Sequence, residues 1–122
     1  MHATIRRWNA AAPLIAEIER RTQEVENIVS STPGFVAYHA VKSGDTLISM
    51  TVCQDKNGTD EVNRRAAQWV RDNFPADIAT SLKPEVTEGE EFLSFHAPQR
   101  LGNATSRTFD TVDKNPTNEA TF

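Results

Sequence analysis

The chain has 122 residues, a formal net charge of −4 at pH 7 and 38% hydrophobic residues. This length is typical of one domain, and no apolar run approaches the roughly 20 residues of a membrane-spanning helix. The acidic balance argues against a nucleic-acid partner, which requires a clustered basic surface. A single cysteine, Cys53, cannot form an internal disulfide, and the charged start of the chain does not look like a signal peptide. We expect a cytoplasmic protein without membrane or nucleic-acid partners.

Composition divides the chain into a body and a polar tail. Residues 1–96 alternate apolar and charged segments, whereas residues 97–122 are rich in Thr and Asn and show no apolar period. The tail holds three basic and three acidic residues, so the body carries the whole net charge. Two structures are open for the tail: a disordered extension, or an arm that docks apolar side chains on a partner subunit. Those side chains are Leu101, Phe109, Val112 and Phe122.

The first strand and the first helix are predicted at residues 3–8 and 13–30. Residues 3–8 form a short segment, bounded by Asn9, whose side chains divide into two alternating sets. In residues 13–30 the apolar side chains fall on one helical stripe, and Pro13 suits a first helical position. Pro33 ends the segment because it lacks an amide donor and steers the preceding residue away from helix. The pattern predicts one amphipathic helix of about five turns.

Two β-rich segments, residues 35–41 and 46–53, follow this helix. Both are rich in β-branched, aromatic and other apolar residues. The link between them is polar, contains Gly44 and has the length of a hairpin connection. A β-hairpin is the simplest arrangement of the two segments.

A second helix is predicted after a break at residues 56–58. Thr59 then has the side chain of an N-cap, and the two acidic residues that follow it favour the amino end of a helix. Pro75 ends this helix. A further short helical turn is predicted at residues 77–82.

The last predicted strand is the apolar segment 91–96, and residues 85–90 form a charged, partly extended approach to it. The order strand, helix, strand, strand, helix, strand is the split βαβ repeat of the ferredoxin-like fold. Right-handed crossovers arrange it as a four-stranded antiparallel sheet with both helices on one face. We therefore predict an α+β protein with a ferredoxin-like βαββαβ order.

This arrangement leaves the other face of the sheet uncovered. Whichever way the strands face, that side carries apolar residues, such as Phe35, Ala37 and Val41 or Val36, Tyr38 and Ala40. A bare apolar face of this size is usually an interface. The pattern alone predicts a homodimer that pairs through the open sheet face.

Four segments carry a resemblance to a known family: the strand ATIRRW, the Pro33-Gly34-Phe35 strand entry, the strand TLISMTVCQD and the helix NRRAAQWVRDNFP. Over residues 2–96 the chain resembles the antibiotic biosynthesis monooxygenase-like proteins of the dimeric α+β barrel superfamily. The resemblance implies that two four-stranded sheets meet face to face as a barrel, with a ligand cavity in each protomer. It leaves the tail unexplained.

The resemblance implies several activities, including cofactor-independent oxidation of aromatic polyketides and haem degradation. The haem-degrading branch uses an axial His from the second helix or beside it, but the histidines here are His2, His39 and His96. We therefore expect no haem and no other cofactor. In the polyketide-oxidising branch an Asn is expected four residues before Trp69, where this chain has Arg65. No catalytic residue of the family transfers directly.

Two side chains are the candidate catalytic groups. His39 lies in an otherwise apolar strand, where a neutral imidazole can accept a proton from an acidic phenol or an activated carbon. The alternative is a structural histidine. Arg6 can hold an anionic oxygen through charge-assisted hydrogen bonds, while Trp8 on the same face packs on the ligand. The alternative is a solvent-facing arginine with a tryptophan packed under a loop.

Two further aromatic residues are candidates for substrate binding. Tyr38 faces opposite to His39 in its strand, so only one of the two can lie in a cavity. Trp69 has helical spacing, which makes a core position the alternative. No metal site is predicted, because His2 and His96 stand at opposite ends of the body without a further ligand set.

The sequence predicts one of two functions. The first is a cofactor-independent monooxygenase that oxidises a small aromatic or polyketide-like substrate in the barrel cavity, with Arg6 or His39 favouring the substrate anion. The alternative is a non-enzymatic dimeric ligand-binding or stress-related protein in which side chains fill the same cavity. A pocket above roughly 300 Å³ with Arg6 or His39 directed into it would favour the enzyme.

Overall fold

Residues 1–98 of the chain are described by a computed structural model. Met1–Phe92 form one unit that contains every helix and strand of the described residues. A second unit begins at Leu93, and residues 93–98 have no helix or strand. The predicted disordered or docking tail lies, from residue 99 onward, outside the described residues.

Four strands form one antiparallel sheet: β1 His2–Trp8, β2 Phe35–Ser43, β3 Thr46–Cys53 and β4 Glu85–Glu90. Their order in space is β2-β3-β1-β4. Four helices connect them: α1 Ala12–Arg20, α2 Thr22–Ser30, α3 Lys56–Asn73 and α4 Ala76–Ser81. The ferredoxin-like α+β prediction is confirmed. None of these helices is both long enough and apolar enough to cross a membrane.

The helices cover one face of the sheet, here called the covered face. On the central strands it carries Thr4, Arg6, Trp8, Leu47, Ser49 and Thr51, which are all more than nine-tenths buried. Across β1 and β3, Arg6 lies opposite Ser49 and Thr4 lies opposite Thr51. The main hydrophobic core lies against this face and consists of Trp8, Ala11, Leu14, Ile15, Leu47, Trp69 and Leu82.

The first helical segment is broken, and the prediction of one continuous helix over residues 13–30 is wrong. Arg21 separates α1 from α2 with φ −123° and ψ 40°. The Thr22 hydroxyl donates to the backbone oxygens of Ile18 and Glu19, both at 3.2 Å. Such side-chain bonds compete with helix continuation, which the apolar stripe does not reveal.

The third helix begins earlier than predicted. Asp55 is its N-cap and accepts a hydrogen bond from the Gly58 amide at 3.1 Å, whereas Thr59 lies inside the helix. The predicted break at residues 56–58 is therefore wrong. Gly58 serves packing instead: a Cβ built there would lie 2.6 Å from the Cβ of Cys53. Glycine lets α3 approach β3 closely.

The last strand was predicted in the wrong segment. Residues 85–90 form β4 and pair with β1, whereas residues 91–96 have no helix or strand. All side chains of β4 are exposed, so no apolar alternation marks it. An edge strand of this kind is held by backbone pairing with its neighbour, while Phe92 beyond it is 92% exposed.

The other side of the sheet is here called the open face. By register its residues on the first three strands are Ala3, Ile5 and Arg7 of β1, Ala37, His39 and Val41 of β2, and Ile48, Met50 and Val52 of β3. Ile5 is 42% exposed and Val41 is 59% exposed. No described helix covers this mostly apolar surface, because the helices pack on the covered face.

Candidate active site

A cavity of about 390 Å³ lies between the covered face and the helices. Its floor comes from the sheet, through Arg6 and Trp8 of β1, Tyr38 of β2 and Leu47 of β3. Its walls come from all four helices and are mainly apolar. The volume falls in the range of small-molecule sites, which are typically apolar with a few placed polar groups.

Arg6 is the charged group at the floor of the cavity. The side chain is held by β1, is 5% exposed, and its Cζ lies 4.8 Å from the centre of the Trp8 ring. Burial lowers the pKa of the Arg6 guanidinium, and the neighbouring Tyr38 hydroxyl partly opposes this effect. An arginine nevertheless remains a cation in a protein. The site therefore holds a buried positive charge stacked on an aromatic ring.

Trp69 forms part of the opposite wall. Its Nε1 donates to the Glu24 carboxylate at 2.8 Å, and the Arg21 guanidinium lies 5.9 Å from its ring centre. Phe74 contacts the ring edge-on at a centroid distance of 6.3 Å. These contacts hold the indole in one orientation across from the sheet, as a flat apolar surface for a ligand requires.

A second cavity of about 340 Å³ also has Tyr38 in its lining. The second cavity lies between α1, α2 and β2 and shares Ile18, Val25, Val29 and Tyr38 with the first. Across β3 from Arg6 stand Ser49 and then Ala40, and both are small. The Tyr38 hydroxyl lies close enough to the Arg6 guanidinium to affect its pKa.

The structure brings four of the five predicted site residues together. Arg6, Trp8, Tyr38 and Trp69 all line the same cavity. His39 lies on the open face, so the sheet separates it from that cavity. The division between Tyr38 and His39 follows from strand alternation, and the structure places Tyr38 on the cavity side.

Sequence reasoning missed a polar cluster beneath the cavity. The side-chain oxygens of Thr4, Ser49 and Thr51 and the Nε of Arg6 are buried and have no hydrogen-bond partner within residues 1–98. Buried polar groups usually have such partners. The signal that marks them is alternation: they fall at every second position on β1 and β3, in step with Arg6. That signal becomes readable once the register is known.

The cavity offers poor ligands for haem or a metal ion. Haem iron is usually held by an imidazole, a thiolate or a thioether, and the lining residues in the described chain include none of these. Tyr38 is the single phenol, and it lies beside the cationic Arg6. Within residues 1–98 no three His, Cys, Asp or Glu side chains are grouped as a metal site. The donor set does not fit haem chemistry.

No family model and no curated protein matches the chain. Solved structures do match. NE2512 from Nitrosomonas europaea, a protein of unknown function, has a TM-score of 0.59 and 19% identity, over 80% of this chain and 95% of that one. The heme degrader MhuD from Mycobacterium tuberculosis, with two hemes in its active site, has a TM-score of 0.55 and 17% identity, over 79% and 100%.

A third similar structure is a monooxygenase from the gene ActVA-Orf6 of Streptomyces coelicolor, in complex with nanaomycin D. It has a TM-score of 0.54 and 13% identity, over 80% of this chain and 92% of that one. The chain thus shares the ferredoxin-like fold of antibiotic biosynthesis monooxygenase-like proteins, and the resemblance is confirmed at the level of the fold. Since one fold hosts many functions, activity has to be argued from the site.

Proposed function

We propose that the protein is a cofactor-independent monooxygenase that oxidises a small aromatic or polyketide-like substrate. The reaction site is the cavity between the covered face and the helices. The observation that carries this proposal is the cavity itself, which measures about 390 Å³ and has Trp69 in its wall and Trp8 with the buried Arg6 at its floor. The shared fold with a monooxygenase and a heme degrader supports it by analogy.

The chemistry requires a substrate that can form an anion. A methylene group activated by a phenol loses a proton, and the resulting anion passes an electron to dioxygen. A carbon–oxygen bond then forms, and loss of water leaves a carbonyl group. One oxygen atom enters the substrate and the other leaves as water, so the substrate supplies all four electrons and no external reductant is needed. The protein has to favour the anion and orient it.

The cavity residues have distinct roles in this proposal. Arg6 stabilises the substrate anion electrostatically in a site of low dielectric, where such stabilisation is strongest. Trp8 and Trp69 pack against the aromatic rings, and Tyr38 positions the oxygen-bearing edge near Arg6. The described lining contains no carboxylate and no imidazole. The substrate must therefore be acidic enough to ionise with help from Arg6 alone, and His39 has no role in the cavity.

We also propose that the protein forms a homodimer through the open face, completing the barrel that the resemblance implies. The support is the exposed apolar surface around Ile5 and Val41. A soluble monomer would leave this surface in water, at a cost that pairing removes. His39 would lie in that interface. The cytoplasmic location stays a prediction from the sequence.

Oxygen uptake with a panel of anthrone-like phenols tests the enzyme proposal. Wild-type protein should consume oxygen, and Arg6→Ala should lower kcat by about 10²–10³, the usual effect of removing one charge-stabilising donor. His39→Ala is the matched control on the other side of the sheet and should leave the rate unchanged. Equal rates for wild type and Arg6→Ala would overturn the role of Arg6.

A second candidate is a non-enzymatic ligand-binding protein of the same fold. The observation that favours it is the lack of a general base among the described lining residues. In that case phenols would bind in the cavity, but the wild type would consume no oxygen with any of them. The oxygen assay therefore separates the two candidates.

A further inference from the structure

The cations of the described chain fall into two groups. Arg20, Arg21, Lys42, Lys56, Arg64 and Arg65 each have a carboxylate oxygen within 4 Å. Arg6, Arg7, Arg71 and Lys83 have none among residues 1–98. Three of these four, all except Arg7, line the 390 Å³ cavity. Carboxylate partners are thus absent where the cations face the cavity.

The cavity lining also lacks acidic side chains. No Asp or Glu of the described chain lines it, although the whole protein carries a net charge of −4. A cavity whose charged lining residues are all cations concentrates positive potential where a ligand would sit, even in an acidic protein. Arg71 and Lys83 are exposed and line the outer part, while Arg6 is buried at the floor.

Because Arg6 is buried, its positive charge without a counter-charge is energetically unfavourable. A buried charge without a counter-charge is strongly unfavourable, and in proteins such charges are normally paired. The Trp8 ring and Tyr38 offset part of this cost, but Arg6 Nε still has no hydrogen-bond partner in the described chain. The adjacent Ser49 hydroxyl, directly opposite across β3, is also buried and unpartnered. Arg6 therefore has no counter-charge among the described residues, and an anionic group in the cavity that it lines would supply one.

We propose that the cavity binds an aromatic anion whose charged oxygen group pairs with Arg6, and that Arg71 and Lys83 attract the ligand. This inference rests on the proposed use of the cavity as the substrate site, and it specifies the substrate class. Two sources supply the required chemistry: a carboxylate on the ring system, or a phenol already ionised in solution. Neutral aromatic molecules of the same shape bind weakly.

Isothermal titration calorimetry with three naphthalene probes tests this inference. 2-Naphthoate should bind at least about 30-fold more tightly than the neutral 2-naphthamide, because the amide leaves Arg6 without a counter-charge. 2-Naphthol distinguishes the source: its affinity should rise at least about tenfold when pH ionises the phenol. Equal affinities for naphthoate and naphthamide would overturn the subsite, and a naphthol affinity that does not change with ionisation would overturn a phenol as the source of the charge.

Variants separate an anion subsite from a structural arginine. Arg6→Gln should weaken naphthoate binding to the level of naphthamide while leaving naphthamide binding unchanged. Lys83 and Arg71 are exposed, so replacing either should not prevent folding. Lys83→Gln and Arg71→Gln should each weaken naphthoate binding by a few-fold and reduce the salt dependence of that binding. Arg7→Gln removes the unpaired cation on the open face and should change nothing. If Arg7→Gln weakens naphthoate as much as Lys83→Gln does, general surface charge explains the binding.

The binding and oxygen assays fail independently. Tight naphthoate binding without oxygen uptake by any phenol would remove the monooxygenase proposal and leave the anion site. Oxygen uptake with naphthoate and naphthamide bound equally would remove the anion site and leave the enzyme.

Discussion

The two faces of the sheet show how one set of strands builds two different surfaces. The covered face carries Arg6, Trp8 and Tyr38, encloses a cavity and keeps buried polar atoms without partners. The open face carries apolar residues such as Ile5 and is not covered by any described helix. The residues of each pair, Arg6 with Ile5 and Tyr38 with His39, are adjacent in sequence but separated by the sheet. Ligand recognition and assembly can therefore be changed independently.

The largest expected effect comes from a charge on the open face. Ile5→Arg should weaken dimerisation by at least about 100-fold, because an unpaired charge would be buried in an apolar interface. Sedimentation velocity should show wild type near twice 13.6 kDa and the variant as a folded monomer. Val86→Arg is the control, since Val86 is 50% exposed but lies on the Arg6 side by register. A wild-type monomer at micromolar concentration would contradict the interface.

A smaller effect is expected where α3 packs on the covered face. Gly58→Ala should lower the free energy of unfolding by about 1–3 kcal/mol, because its Cβ would overlap Cys53. In an open helix the same change would stabilise by about 1 kcal/mol. Urea unfolding at one protein concentration shows whether Gly58→Ala raises or lowers the free energy of unfolding. Gly89→Ala, where a Cβ meets no atom within 4 Å, should change little; stabilisation by Gly58→Ala would show that the contact is looser than described.

The smallest effect concerns the solvent side of α3, where cations are paired. Hydrogen bonds from Arg64 and Arg65 lower the pKa of Glu61 from 4.5 to about 2. A carboxylate with a lowered folded-state pKa contributes stability above pH 4.5, and the contribution is lost as pH falls towards 2. The stability difference between wild type and Glu61→Gln should therefore be present at pH 6 and vanish near pH 2. It should be small, since this pair is exposed.

Chemical denaturation across that pH range makes the measurement. Glu26→Gln controls for loss of a surface carboxylate, because Glu26 has no cation within 4 Å in the described chain. A difference for Glu61→Gln that does not vary with pH would show that the ion pairs contribute nothing. It would also weaken the contrast between paired outer cations and unpaired cavity cations.

The elements that were predicted correctly are those whose residue types favour one secondary structure. Residues 46–53 match β3, because one of its faces packs on the helices and the other is apolar. The segments that were mispredicted depend on other interactions. β4 is held by backbone pairing with β1, the break at Arg21 is accompanied by local hydroxyl bonds, and α3 begins at an Asp55 cap. None of these interactions produces a periodic apolar pattern in the sequence.

The candidate site was predictable in its residue types and not in its location. Charged and aromatic side chains within apolar elements mark candidate binding residues, and this criterion selects Arg6, Trp8, Tyr38 and Trp69. Whether Arg6, Trp8 and Tyr38 face a cavity depends on strand register, and a one-residue slip moves every side chain of a strand to the other face. The lack of carboxylate partners at Arg71 and Lys83 within residues 1–98 is a property of three-dimensional distances, so no pattern along the chain contains it.

The sequence by itself determined the class and order of the fold, since burial of apolar stripes selects helices and strands wherever the stripes exist. It also determined which residue types could bind an anion or an aromatic ring. Only the tertiary structure decided that Arg6 and Tyr38 share a cavity on the covered face, that His39 belongs to the open face, and that the cavity cations have no carboxylate partner within residues 1–98. The physical reason is that burial and charge pairing depend on neighbours that are distant along the chain.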